Sequence, residues 1–436
     1  MKDSLESAAN FGQALAVVRQ KFFEVRHGEM AHFADACTEL VGQVGNPFAI
    51  PALFGYAARG RMHDIANWTT TDQRNFSPTA RLLSDLAALL EMPRAIECRR
   101  NYYWGLVDGL AKYIAGDIDG AWMRFALTAQ SGEITHVFQN DDMAGGVPFA
   151  RCFPNASALQ RPRSRHFARR PAMIRPPSRE RRLTFMVSVD PIYADAFAPV
   201  WIETLSRLPT ADAGFHIHLM ANEALHGASI ERLVARCAAA AIDVSVSLDA
   251  TSEKDRAYFT CSRFLSAAQV MDAVGSPLLI CDADLAVSDP NAMAEQALPL
   301  LSPERGCRAI INAEHGHGYL PWRHVSASLV FVGNDPVGRA YVETACRFIE
   351  YFWDDAMNSN WWIDQLALES ARQYLRREGA ADETCLRIND RVRRLFVTPP
   401  KHKSDRLATV PEVRTLMAAG NNLHRALDIL ARRTAA

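Results

Sequence analysis

Two aspartates, Asp282 and Asp284, stand one residue apart directly after the apolar run Leu278-Leu279-Ile280-Cys281. Alternate residues of an extended chain point to the same side, so both carboxylates can face one cation, directly or through water. Carboxylate oxygens suit Mg2+ or Mn2+. A divalent ion held there would neutralise a diphosphate leaving group. Alone, Asp-Ala-Asp is a weak motif, because paired acids are common in surface loops. Its place after a buried strand gives it weight. Asp289-Pro290 follows with the pattern of a helix start, aspartate as N-cap and proline at the first helical position.

The elements that must position this pair begin at residue 183. Leu183–Val189 reads as a buried strand, Ala194–Leu208 as a helix and Phe215–Met220 as a second strand. Ile230–Ala241 reads as a helix, Val244–Leu248 as a third strand and Phe259–Val274 as a helix. Pro277–Cys281 is then a fourth strand, ending at the two aspartates. Strands alternating with helices specify an α/β fold, a mostly parallel sheet with helices on both faces. Ligands bind such sheets at the carboxyl ends of the strands. Asp190 and the Asp282/Asp284 pair both lie at such ends.

Residues 1–130 read as a separate all-α domain, with apolar positions three and four apart in Phe11–Phe23 and Ala80–Leu90. Tyr102–Gln130 has the pattern of a helical hairpin broken at Gly116-Asp117. The spacing of Gly109, Gly116, Ala121 and Phe125 resembles one tetratricopeptide repeat, but no second copy follows at a period of about 34 residues, so an ordinary hairpin is the simpler reading. Residues 131–182 read as a linker. Arg161 to Arg182 holds nine arginines against one acid, Glu180, with Pro162, Pro171, Pro176 and Pro177. Proline and charge together disfavour a packed core. The alternatives are a surface for anionic lipid or polymer, or a grip on a ligand's phosphates. The catalytic domain is expected over 183–410, with a helical tail over 411–436.

Bulk composition narrows the function classes. Hydrophobic residues make up 49% and charged residues 22% of the 436, an ordinary globular mix. The formal net charge of -1 gives no global attraction for nucleic acid or membrane. Nine dispersed cysteines without a CxxC pair fit a reducing compartment. The acids Asp3 and Glu6 near the N-terminus are unlike a secretory signal. No apolar run approaches the ~20 residues that span a bilayer. The expectation is a soluble, cytoplasmic protein.

Residues 183 to about 405 resemble a GT-A glycosyltransferase, the fold of nucleotide-diphospho-sugar transferases. Four segments carry the resemblance, in the family's order. Val187-Ser188-Val189-Asp190-Pro191-Ile192-Tyr193 is a first strand with a Ser-x-Asp turn, the region that holds the nucleoside in that family. Phe259-Thr260-Cys261-Ser262-Arg263-Phe264 supplies an arginine that typically supports the nucleotide site. Asp282 and Asp284 form the Asp-x-Asp. Asn360-Trp361-Trp362-Ile363-Asp364-Gln365 resembles the Trp-x-x-Asp-Gln segment near donor sugar and acceptor. Val325 to Phe331, with Ser326, matches a donor-contacting segment less strictly. Thr398-Pro399-Pro400-Lys401-His402-Lys403 lies where several relatives place a histidine ligand and phosphate-binding lysines, although the His-x-x-Gly-x-x-Lys-Pro-Trp form is absent.

The resemblance implies transfer of a sugar from a nucleotide diphosphate, UDP by family habit, to an acceptor hydroxyl. It implies Mn2+ or Mg2+ on Asp282, Asp284 and His402. Ser188, Val189, Asp190, Arg263, Ser326, Lys401 and Lys403 would hold the donor, and Asp364 and Gln365 would orient the sugar or acceptor. The acceptor could be a protein, a lipid-linked sugar, a polysaccharide or a small molecule. The helical domain could recruit a partner or self-associate. Plainer roles exist for each residue: Arg263 on a solvated helix face, Asp364 in a helix first turn capped by Asn358 or Asn360, Trp361 and Trp362 as core aromatics, His315 and His317 in a Gly-rich loop. The competing readings are a catalytically silent scaffold of the same fold and a haloacid-dehalogenase-type phosphatase, whose motif also places Asp-x-Asp after a strand. Three strands precede the motif here, and Leu285 stands where that family has glycine.

Overall fold

The computed structural model describes residues 1–63, 80–94, 98–130, 145–162, 167, 171–207, 213–220, 223–250, 256–287, 310–314, 320–353, 360, 362–380, 385–388, 396–397 and 400–434. They fall into two compact units, Met1–Cys152 with His315–Val325, and Phe153–Glu314 with Ser326–Ala436.

The first unit is helical, with α1 (Lys2–Glu6), α2 (Phe11–Glu24), α3 (Met30–Gln43), α4 (Ala49–His63), α5 (Ala80–Glu91), α6 (Tyr102–Ile114) and α7 (Ile118–Ala129). Polar side chains cap three of these helices. Asn10 accepts the Gln13 N–H at 3.0 Å, Asn101 that of Tyr103 at 3.0 Å and Asp117 that of Gly120 at 3.0 Å. The expected hairpin is α6 and α7, turned at Gly116, whose φ of 84° favours glycine. Its helices approach closely because Gly109 has no side chain: a Cβ there would lie 2.5 Å from the Phe125 ring. A helical turn at Pro321–His324 completes this unit, with the Trp322 ring 5.8 Å from Phe125 and His324 Nδ1 2.9 Å from the Tyr113 hydroxyl.

The second unit is α/β, as the alternating pattern requires. Its strands are β1 (Ala172–Arg175), β2 (Leu183–Val189), β3 (Ala213–Met220), β4 (Asp243–Asp249), β5 (Leu278–Cys281), β6 (Ala286–Val287), β7 (Ile310–Glu314), β8 (Val325–Val332), β9 (Cys385–Ile388) and β10 (Phe396–Val397). Its helices are α8 (Pro191–Ser206), α9 (Glu223–Ala239), α10 (Arg256–Leu265), α11 (Ala267–Val274), α12 (Pro336–Phe352), α13 (Ile363–Arg377), α14 (Pro400–Thr409), α15 (Pro411–Ala418) and α16 (Leu423–Thr434). Eight strands form one sheet in the order β1-β4-β3-β2-β5-β8-β7-β9. The inner four are parallel, while β1 and β8 run antiparallel to β4 and β5. From β2 the chain builds outward through β3 and β4, then returns to add β5 on the other side of β2. The order therefore reverses between β2 and β5, the kind of point at which such sheets generally bind ligands.

One sheet face is apolar. Phe185, Val187, Phe215, Ile217, Val246 and Leu279 pack with Trp201 of α8 and Leu233 of α9. The alternate positions on β3 and β4 are polar yet buried: His216, His218, Ser245 and Ser247. The His216 ring is satisfied at both nitrogens, with Nδ1 2.8 Å from Ser245 Oγ and Nε2 2.9 Å from Ser247 Oγ. Beyond the sheet, Leu407, Val410, Val413 and Leu430 of the C-terminal helices pack on Phe197 of α8.

Three expectations need adjustment. Phe259–Val274 is two helices, α10 and α11, parted at Ser266, whose hydroxyl bonds the Ser262 carbonyl at 2.8 Å. The helix read from Ile230 begins earlier, at Glu223. The stretch 131–182, read as a linker, contributes the edge strand β1 and a buried cation. Arg181 Nε donates to Asp243 at 2.7 Å, and its side chain is fully enclosed. Burial alone would raise Asp243, but its bonds from Arg181 and Ser178 outweigh that and bring it down to about 2. Arginine-rich composition signals solvation only where no acid waits elsewhere in the chain. Asp243→Ala would leave the guanidinium buried and unpaired, with an expected loss of about 3–5 kcal/mol in urea denaturation. An unchanged midpoint would mean that the pair contributes nothing.

Candidate active site

The β2–β5 register places Val187 opposite Cys281. Ser188–Asp190 and Asp282–Asp284 therefore leave the sheet side by side, at the crevice. On the other flank of β5, the Asp282 N–H donates to the Ser328 carbonyl at 2.9 Å. This continues the antiparallel ladder and brings Ser326 and Ser328, joined Oγ to Oγ at 2.6 Å, beside the acidic loop. Trp201 Nε1 pins the same loop by donating to the Ala283 carbonyl at 2.9 Å.

Helix α10 closes the crevice, packed against β2, α12 and α13. It carries Arg263, which is 6% exposed. Nη1 of Arg263 bonds Asp282 Oδ1, and Nη2 bonds Asp364 Oδ2 at 3.4 Å. One guanidinium thus ties together two carboxylates 82 positions apart. The plain reading of Arg263 as a solvated helix residue does not hold. Burial works against its charge, but Asp282 and Asp364 outweigh it and raise it. Its Nε is also buried and has no partner among the described residues. Burial raises Asp364 too, against the opposing pull of Arg263.

One residue before Arg263, Ser262 Oγ lies 2.6 Å from Ser188 Oγ and also donates to the Phe259 carbonyl at 2.9 Å. With its single proton so used, Ser262 accepts from Ser188. Ser262 carried no individual signal in the sequence; only the fold puts it on Ser188. Asp190 caps α8, accepting the Tyr193 N–H at 2.8 Å, and burial raises its carboxyl. Val189 is buried in the apolar core.

Asp364 and Gln365 open α13, with the Gln365 N–H on Asp364 Oδ1 at 2.8 Å. The N-cap there is Trp362, not Asn358 or Asn360, and it adopts φ 78°. A left-handed tryptophan costs on the order of 1–3 kcal/mol. The Ile363 N–H donating to the Asn360 carbonyl at 3.2 Å holds the turn. Asn358, Trp361, Asp289-Pro290, His315 and His317 lie outside the described residues.

Lys401, His402 and Lys403 form the first turn of α14, and their side chains are not among those described. The backbone nevertheless brings their segment to the acids. Strand β6, two residues past Asp284, pairs with β10, three residues before Pro400: Phe396 faces Val287 and Val397 faces Ala286. Among the described residues no group of three or more His, Cys, Asp or Glu side chains could hold a metal ion. Asp282 and Asp284 offer oxygen donors of the kind Mg2+ and Mn2+ take, and Arg263 engages only Oδ1 of Asp282.

No family model matches the chain, and no curated protein matches it. Among solved structures it is similar to the glycosyltransferase GlyE of Streptococcus pneumoniae TIGR4, with 13% identity and a TM-score of 0.32 over 49% of this chain and 46% of that one. The chain thus spans about half the length of GlyE. It is also similar to the mannosyltransferase PcManGT from Pyrobaculum calidifontis, solved with GDP-Man and Mn2+, with 13% identity and a TM-score of 0.25 over 63% of this chain and 90% of that one. No helix among the described residues is long and apolar enough to cross a membrane.

Arg263→Met would strip the counter-charge from Asp282 and the buried Asp364 together. The expected loss is about 3 kcal/mol, followed by tryptophan fluorescence in urea. Arg263→Lys would recover only part of it, because a point-charge ammonium cannot span two carboxylates as a planar guanidinium does.

Proposed function

We propose that the second unit is a glycosyltransferase that moves a sugar from a nucleotide diphosphate, UDP in the first instance, to an acceptor hydroxyl. The observation that carries this reading is Arg263 joined to both Asp282 and Asp364 at the point where the strand order reverses. Three segments distant in sequence supply a charged, partly enclosed crevice where a parallel sheet binds ligands.

Asp284 and the free oxygen of Asp282 would hold Mn2+ or Mg2+, with His402 as third ligand. When bound, the metal supplies positive charge to the departing diphosphate. Arg263 holds Asp282 in place and offers its unpartnered Nε to the donor's phosphates. Lys401 and Lys403 add charge from the start of α14. Ser188, with its proton given to Ser262, accepts a hydrogen bond from the nucleoside. Val189 and Asp190 shape the turn beneath it, and Ser326 lines the opposite flank. Asp364 and Gln365 orient the sugar or the acceptor. In the reaction the bond from the sugar's anomeric carbon to the diphosphate oxygen breaks, and a bond to the acceptor oxygen forms as that hydroxyl passes its proton to the departing diphosphate or to Asp364. The helical unit would recruit the acceptor or a partner. No observation favours a phosphatase, and Leu285 stands where that family has glycine.

Melting temperature in the presence of sugar nucleotides, with and without Mn2+, tests the reading. A ligand at one hundred times its Kd stabilises by about 2.7 kcal/mol, a rise of several degrees for a protein of this size. UDP-sugars or another sugar nucleotide should raise it only with the metal. Asp284→Ala should abolish both that shift and metal-dependent hydrolysis of the donor. Undiminished hydrolysis in that variant would sink the metal assignment, and stabilisation without turnover on any acceptor would favour the silent scaffold.

A further inference from the structure

A chain of hydrogen bonds runs along the polar face of β3 and β4 and stops, incomplete, at their carboxyl ends. It starts at Arg181, whose Nη1 donates to Ser245 Oγ at 2.9 Å. A guanidinium has no acceptor, so the Ser245 proton passes onward to His216 Nδ1 at 2.8 Å. Burial, aided by His218 and Arg181, holds His216 well below its usual value, and the ring is neutral. A neutral ring that accepts at Nδ1 must donate at Nε2, here to Ser247 Oγ at 2.9 Å. Ser247 then donates to His218 Nδ1 at 2.9 Å. Burial brings His218 down to about 4, so it too is neutral and carries its one proton on Nε2.

That last N–H is buried without a partner among the described residues. Asp249 Oδ2 lies 3.9 Å away, too far for a direct bond. Asp249 itself accepts the Tyr258 hydroxyl at 2.5 Å and keeps 12% side-chain exposure. An atom about 2.8 Å from each would bridge the gap, accepting from His218 and donating to Asp249.

The gap lies in line with the crevice. Helix α10 carries Tyr258 at the end of β4, Ser262 at the end of β2 and Arg263 at the end of β5. From β4 to β5 is three strand spacings, ~14 Å. A ligand whose diphosphate lies at Asp282 can therefore extend its nucleoside toward Asp249.

We propose that His218 and Asp249 are ligand-binding residues that hold one donor-and-acceptor group of the nucleoside, a ribose hydroxyl or the amide edge of the base. This rests on the nucleotide-sugar reading. Ser245, His216 and Ser247 are positioning residues: they transmit the donor-only character of Arg181 and so fix the His218 tautomer.

Calorimetric titration of the full chain with Mn2+ and either UDP or pyrophosphate tests this. Asp249→Ala should weaken UDP binding tenfold or more and leave pyrophosphate within twofold, because pyrophosphate does not reach β4. Ser247→Ala, which touches no ligand, should weaken UDP by a smaller factor and also spare pyrophosphate. Should Asp249→Ala not fold, Asp249→Asn carries the same criterion, with at least a threefold loss expected. With 2′,3′-dideoxy-UDP, disappearance of the Asp249→Ala penalty assigns the group to the ribose; persistence assigns it to the base. Unchanged UDP binding in the Asp249 variant means that a buried water fills the gap, and it overturns the proposal. Equal losses for UDP and pyrophosphate overturn it as well. A wild-type protein that binds pyrophosphate but gains nothing from the nucleoside overturns this proposal alone. One that binds neither overturns the nucleotide-sugar reading along with it.

Discussion

The Arg263 guanidinium, enclosed between Asp282 and Asp364, is the interaction on which the site depends. Two carboxylates in a largely buried crevice repel each other and lose hydration, and a planar cation between them offsets both costs. Helix α10 must therefore lie across the carboxyl ends of the strands, and α13 must begin where Asp364 can reach it. The left-handed Trp362 belongs to the same constraint, since it starts α13 one residue before Ile363 and two before Asp364. The strain at that residue is tolerated where the surrounding packing fixes it.

The sheet contributes geometry in two ways. Its reversal between β2 and β5 brings the Ser188 turn and the acidic loop together. Its two faces do different work: one is an apolar core around Trp201, the other a polar ladder from Arg181 to Asp249. A buried polar ladder is tolerated only when each group is satisfied, and His218 Nε2 is the one member of it left without a partner among the described residues. The small β6–β10 ladder adds a third connection, fastening the start of α14 near the acids.

Much of this was legible in the residues themselves. The strand ending at Cys281, the helix-strand alternation from Leu183 and the helical hairpin around Gly116 follow from periodicity and turn chemistry, which are local properties. Asp282, Arg263 and Asp364 could each be singled out by type and by resemblance. Their mutual contact could not, because it joins segments 19 and 101 residues apart. Sequence decided which side chains were present and which face of each strand they occupied. Only the tertiary structure decided that the arginine-rich stretch holds an edge strand and a buried cation, that Ser262 meets Ser188, and that two histidines and two serines form a directed ladder. Periodicity acts over a few residues, whereas burial and ion pairing are properties of neighbours that folding alone brings together.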